Sequence, residues 1–304
     1  MSALSSLHDD LVLPFHLDAG AFRGRVVRLG PAFEQVLAPH DHPETIAGMM
    51  GETLALAAAL AGMLKYQGIF TLQMQGDGPV GLLMADVTSD GDLRGHARYD
   101  RTRVEAAGDG SHRPLARLLG KGHLAFTVDQ GPDTDRYQGI VSLSGGTLSE
   151  CARQYFLRSE QLETVLRLAA GPVAGSHWRA GAFLLQRMPQ DTGGSEPETV
   201  EEAWREASVL MASVTDTELL DPHLSSEALL YRVFHGGQPR VAPAHSLRAS
   251  CRCSRERVAR TLGSFPRHEL ETMRDEDGMV TVTCEFCKMR YDFTGGDLDT
   301  LCDS

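Results

Sequence analysis

Apolar and polar side chains alternate along "FRGRVVRL" (22–29), and this two-residue period predicts a β-strand. The next segment is patterned differently. Residues 46–64, "IAGMMGETLALAAALAGML", are apolar nearly all the way round, with Glu52 as the single charge. Ala and Gly dominate them and no second span follows, so a buried core helix is expected rather than a membrane crossing. "IFTLQMQ" (69–75) and "VGLLMADV" (80–87), joined by Gly76-Asp77-Gly78-Pro79, read as a hairpin. "LRGHARY" (93–99) follows the turn Ser89-Asp90-Gly91-Asp92 and extends the antiparallel pattern. Two more strands, "HLAFTVD" (123–129) and "QGIVSL" (138–143), flank the turn-rich "QGPDTDRY". After Ser144-Gly145-Gly146, Thr147 and Glu150 form a capping box that predicts a helix to about residue 169. "SHWRAGAFLLQRM" (176–188) reads as the last strand. The fold class is α+β, with an antiparallel-sheet core and few, long helices.

The pattern changes at Pro189. Residues 189–199, "PQDTGGSEPET", read as a flexible joint. Residues 190–221 then carry nine acids (Asp191, Glu196, Glu198, Glu201, Glu202, Glu206, Asp216, Glu218 and Asp221) against the one base Arg205. Helical periodicity persists within this acidity. Thr199 and Glu202 read as a capping box, and Val200, Ala203, Trp204, Ala207, Leu210, Met211 and Val214 share one face. A short helix is expected at 226–235, with Leu229, Leu230, Val233 and Phe234 on its apolar face and Gly236-Gly237 as its stop. Such a segment folds by laying its apolar faces on a neighbour. It reads either as a conditionally stable linker or as an ordinary helical pair of the main domain. The expected division is a core domain at 1–189, an acidic helical linker at 190–249 and a C-terminal module at 250–304.

The whole chain has 304 residues, a net charge of −12 and a pI near 5.4. That balance argues against a general binder of nucleic acid or anionic membrane, because both need a basic field. "MSALSSLHDDLVLPFHL" has neither a basic leader nor a long apolar run, so no signal peptide is expected. Six cysteines are too few for a secreted disulfide scaffold.

Four of those six are clustered. Cys251 and Cys253 in "ASCRCSRERV" and Cys284 and Cys287 in "VTCEFCKMRYDF" form two close pairs thirty residues apart. Paired thiolates are the ligand set of a closed tetrahedral zinc site, which leaves no open position for hydrolytic catalysis. The same pairs can close as two local disulfides, the C-x-C ring being small and readily reduced. A structural zinc ribbon, a redox switch and unliganded cysteines all remain open on spacing alone. Arg252, Arg255, Arg257 and Arg260 crowd the first pair, either to keep its thiolates reactive or as a solvated helix face. Cys151 and Cys302 read as bystanders, and His40-Asp41-His42 as a polar loop before the core helix. "DQGPDTD" lacks calcium-loop spacing and "QGDGPVG" lacks the end of a phosphate loop, so both read as turns.

"CRCSRERV…CEFCKMRYDF" resembles the zinc-binding C-terminus of the heat-shock protein 33 family, redox-regulated chaperones of the cytoplasm. "GHLAFTVDQGPDTDRYQGIVSLSGGTLSECARQYFLRSEQL" (122–162) resembles its central signature and "GDGPVGLLMADVTSDGDLRGHARY" (76–99) its sheet region, so the likeness spans nearly the whole chain. Glu163 departs from it, standing where the family pattern has Pro. The resemblance implies a non-enzymatic, ATP-independent holdase of the oxidative-stress response. It implies that Cys251, Cys253, Cys284 and Cys287 hold one zinc ion when reduced. It also implies that oxidation forms the disulfides Cys251–Cys253 and Cys284–Cys287, frees zinc and unfolds the module and linker. The exposed apolar surface then binds unfolding clients, with dimerisation accompanying activation, and neither nucleic acid nor membrane is a partner. Two competing readings are a zinc-ribbon RNA-binding protein, motivated by Arg248, Arg252, Arg255, Arg257 and Arg260, and a thiol oxidoreductase using Cys284-Glu285-Phe286-Cys287.

Overall fold

The computed structural model describes residues 9–17, 21–108, 114–131, 134, 136–173, 177–189 and 197–302. Residues 1–8, 190–196 of the expected joint, and part of "QGPDTDRY" lie outside them. Two compact units divide the chain, Met1–Ala249 and Ser250–Ser304.

In the first unit β1 (Leu11–Leu17) and β2 (Phe22–Leu29) precede α1 (Pro31–Leu37) and α2 (Glu44–Ala61). Then come β3 (Ile69–Gly76), β4 (Val80–Thr88), β5 (Asp92–Tyr99), α3 (Arg101–Ala107), α4 (Pro114–Leu118), β6 (Gly122–Asp129) and β7 (Tyr137–Ser142). The remaining elements are α5 (Leu148–Tyr155), β8 (Thr164–Val173), β9 (His177–Arg187), α6 (Pro197–Ala212), α7 (Asp216–Leu220) and α8 (Ser226–Phe234), and the short strands β10 (Arg240–Val241), β11 (His245–Ser246) and β12 (Arg248–Ala249). One sheet has the order β10-β1-β2-β9-β8, with β11 also on β1, and the other β12-β5-β4-β3-β6-β7. Every pairing is antiparallel except β12 with β5.

Helix α2 packs against strands of both sheets, which is why it has no polar face. Its Leu54, Leu56 and Leu60 join Phe70, Leu83, Phe126 and Leu184 in one core. Gly51 is needed there, because a Cβ would stand 2.6 Å from Ala170 Cβ and 2.7 Å from Phe33. The first sheet is apolar on both faces. Val12, Val27 and Ala182 face α2, whereas Leu13, Phe15, Phe22, Val26, Phe183 and Leu185 belong to a second core under α6, α7 and α8. Phe15 meets Phe183 at 5.7 Å and Phe234 at 6.1 Å, and Phe22 meets Trp204 at 5.4 Å.

The helix expected to run to about residue 169 ends at Tyr155. A π turn, Phe156–Glu160, and Gln161 at φ 55° close it, and β8 begins at Thr164. Thr164, Leu166 and Leu168 are buried in alternation with half-buried neighbours, a strand period that outweighs the helix formers in the segment. Thr199 is not a cap, because α6 already starts at Pro197, a residue suited to the first helical position. Strand β1 was hidden by Pro14. The Pro14 carbonyl accepts from Ala242 N, so its nitrogen faces the same side, where pairing breaks between β10 and β11 and no N–H is required.

The second unit contains α9 (Arg255–Leu262), α10 (Arg267–Thr272), the hairpin β13 (Val280–Thr283) and β14 (Arg290–Phe293), and α11 (Gly295–Cys302). Its core is Leu262, Leu270, Val280, Phe293 and Leu298.

Candidate thiol metal centre and the docked acidic helices

Cys251 and Cys253 lie in the extended segment before α9, whose N-cap Ser254 accepts from Arg257 N. Cys284 and Cys287 flank the turn between β13 and β14. Cys284 N donates to Met289 O at 2.9 Å and Lys288 N to Cys284 O at 2.8 Å, with Lys288 at φ 57° tightening the turn. The two loops bring all four Sγ atoms within 4.8 Å of one another, with Cys251–Cys284 at 3.7 Å and Cys253–Cys287 at 3.3 Å.

Four thiolates at zinc–sulfur bonds of about 2.3 Å around a tetrahedral ion stand about 3.8 Å apart. The cluster matches that size and offers only soft sulfur donors, so its residues fit zinc. All four thiols are half-buried. Burial raises the Cys251 thiol, but the Cys253 N–H and the neighbouring thiols outweigh it and bring the group down to about 7. Burial pushes Cys253 and Cys287 up. Tyr291 donates its hydroxyl to Cys253 Sγ at 3.1 Å.

Of the arginines that follow the first pair in sequence, Arg255 is engaged within its own unit. It donates to Asp292 O at 2.7 Å, pairs with Asp297 at 3.2 Å and stacks on Phe293 at 4.4 Å. Arg257 donates to Arg252 O, and Arg248 pairs with Asp92 at 2.6 Å. The thiol shifts come from burial and hydrogen bonds rather than from these cations.

The other candidates stand apart from this centre. Cys151 is fully buried on α5, and burial raises its thiol. Cys302 ends α11. His40 and His42 stack at 4.7 Å in the loop before α2, and His42 Nδ1 meets the Tyr99 hydroxyl.

Sequence reasoning missed the polar contacts that hold the acidic helices on the first sheet. Arg28, 1% exposed, donates to Asp221 O at 2.5 Å and to Glu218 O at 2.8 Å, satisfying carbonyls at the C-terminal end of α7. Burial and the nearby Arg179 lower its guanidinium to about 10. The signal was its register, because Arg28 has the same parity as Phe22 and Val26 and so points outward among apolar positions. Arg167 pairs with Asp216 at 2.9 Å. Arg187 bridges Glu163 and Glu201 of α6 at 2.8 and 2.6 Å.

A profile for the family described as Hsp33 protein matches residues 10–294. A 33 kDa chaperonin of Caulobacter vibrioides (strain NA1000 / CB15N) is 42% identical over 287 residues, which cover 93% of this chain and 94% of that protein. One from Ectopseudomonas mendocina (strain ymp) is 37% identical over 294 residues, covering 96% and 95%. The crystal structure of a 33 kDa chaperonin (heat shock protein 33 homolog) from Thermotoga maritima has a TM-score of 0.83 at 23% identity, covering 97% of this chain and 98% of that one, which shows a shared fold.

Proposed function

Because this chain belongs to the Hsp33 family, we propose that it is a chaperone that holds unfolding proteins without ATP and is switched by the oxidation of Cys251, Cys253, Cys284 and Cys287. The observation that carries this reading is the four-sulfur cluster, set in a unit with a core of only a few side chains. In the reduced form the four thiolates hold one zinc ion. When bound, the ion cross-links the two cysteine loops, a contribution of about 10–16 kcal/mol in small zinc domains.

Peroxide or hypochlorous acid removes two electrons from each pair. With peroxide, two thiolates and one H2O2 give one disulfide and two hydroxide ions. The pairs are Cys251–Cys253 and Cys284–Cys287. A disulfide sulfur is no longer an anionic donor, so the metal-holding set is lost and the module loses its main support.

Only Ser250 separates Cys251 from β12, and β10, β11 and β12 are short segments that run back along the chain to the acidic helices. Loss of the module's anchor therefore reaches the 190–249 linker through the chain itself. Release of α6, α7 and α8 would uncover Leu13, Phe15, Phe22, Val26, Phe183 and Leu185, an apolar sheet face suited to unfolded proteins. The active form is a homodimer, and the protein works in the cytoplasm. It binds clients rather than turning over a substrate, and Arg248, Arg255 and Arg257 make contacts within their own units, which argues against an RNA-binding face.

The test is client aggregation. Zinc-loaded reduced protein should leave a thermally unfolding client to aggregate. After peroxide at mild heat it should suppress aggregation, with zinc released in step with thiol loss. Equal protection by the reduced form would reject the switch.

A further inference from the structure

Donors other than the cluster's own thiols reach its sulfurs. Cys251 receives the N–H of Cys253 and Cys287 the N–H of Met289, both from their own loops. Cys253 instead receives the hydroxyl of Tyr291, from strand β14, at 3.1 Å. The Tyr291 ring is held in place from two sides. It stands opposite Val282 in the β13–β14 ladder and packs against the small core of Leu262, Val280 and Phe293. The hydroxyl thus connects the β13–β14 ribbon to the C-x-C segment and ties the two halves of the thiol set by something other than a metal bond.

We propose that Tyr291 is a positioning residue of the switch: its hydroxyl holds Cys253 Sγ in the cluster and restrains that sulfur's reaction with oxidants. This rests on the reading of the four thiolates as a zinc clasp. A donor on a ligand atom fixes its orientation and draws off charge, and loss of such outer-shell partners costs about 10–100-fold in metal affinity. The same donor occupies a lone pair that oxidation requires. In that step a thiolate attacks peroxide, a sulfur–oxygen bond forms, the O–O bond breaks and hydroxide leaves. The partner thiolate of the pair then attacks the sulfenic sulfur, the S–S bond forms and the second hydroxide leaves. A Cys253 thiolate that donates electron density to a hydroxyl is the poorer nucleophile, so Tyr291 raises the oxidant threshold at which the clasp opens.

The test uses the full chain carrying Tyr291→Phe, which keeps the ring and removes only the hydroxyl. Zinc affinity is read by chelator competition, and the iodoacetamide labelling rate of each cysteine in zinc-loaded protein is read by mass spectrometry. Expected are an affinity about tenfold weaker and labelling that rises about tenfold at Cys253 ahead of the other three. Val282→Ala, which trims the packing opposite Tyr291 but keeps the hydroxyl, should not reproduce the Cys253-selective rise. Affinity and Cys253 labelling within twofold of wild type would overturn the proposal. So would a uniform rise at all four cysteines, or a Val282→Ala profile that matches Tyr291→Phe. Failure of the zinc-clasp reading looks different, because wild-type protein would then bind no zinc and Cys284→Ser would change nothing. Tight wild-type binding that Cys284→Ser abolishes and Tyr291→Phe leaves intact rejects Tyr291 alone.

Discussion

Around α2 the chain buries large side chains from two six-stranded sheets, among them Phe70, Leu83, Phe126 and Leu184. Residues 250–302 fold over Leu262, Leu270, Val280, Phe293 and Leu298. The first core is large enough to be stable by apolar burial, whereas domains as small as the second usually need a metal or disulfides. The acidic helices α6, α7 and α8 are intermediate. They bury Trp204, Met211, Leu229 and Phe234, yet they rest on a sheet that would otherwise show those residues' partners to water. Stability is graded along the chain, and the least self-sufficient part carries the four clustered thiols.

The largest effect that sharpens this contrast is metal removal. Chelation of the reduced protein should cost the second unit about 10 kcal/mol or more and unfold it, while β1–β9 keep their amide protection; hydrogen exchange checks this. Next, Trp204→Ala should weaken the docked helices by about 3–5 kcal/mol and give client protection without oxidant, measured by light scattering. Arg28→Met leaves the carbonyls of Glu218 and Asp221 without their donor and should cost about 2 kcal/mol, read as faster exchange in α7.

The smallest effect is a pH dependence. Burial, with Asp216 adding repulsion, raises Glu52 to about 7 from the ordinary 4.5. The folded form therefore holds this proton more tightly than the unfolded one. The stability it contributes is fully present below pH 4.5 and lost as pH rises through about 7. Between pH 6 and pH 8 the loss is about 1.4 kcal/mol, and Glu52→Gln should flatten it in denaturant titrations.

Local rules served best where one element obeys one period. The strand at 22–29, the hairpin at 69–88 and the all-round apolar α2 were legible because each pattern had one structural solution. The segment after Tyr155 was not, because its helix formers are overruled by pairing with β9, a contact distant in sequence. Pro14 concealed β1 because the gap between β10 and β11 that accommodates it is tertiary. The four cysteines could be read as a cluster from their spacing, since thiolates in close pairs have few other uses. Tyr291 could not, because a hydroxyl on a strand acquires meaning only from what folds against it, and the register of Arg28 marked it as outward among apolar positions without naming its partners.

The most direct measurement is hydrogen exchange across the whole chain, on zinc-loaded reduced protein and on the same protein after peroxide at mild heat, with client aggregation followed in parallel. Protection should vanish from residues 250–302 and from α6, α7 and α8, persist in α2 and the two sheets, and disappear in proportion to the gain in client binding. Oxidised protein that holds clients while its C-terminal unit and acidic helices stay fully protected would contradict it.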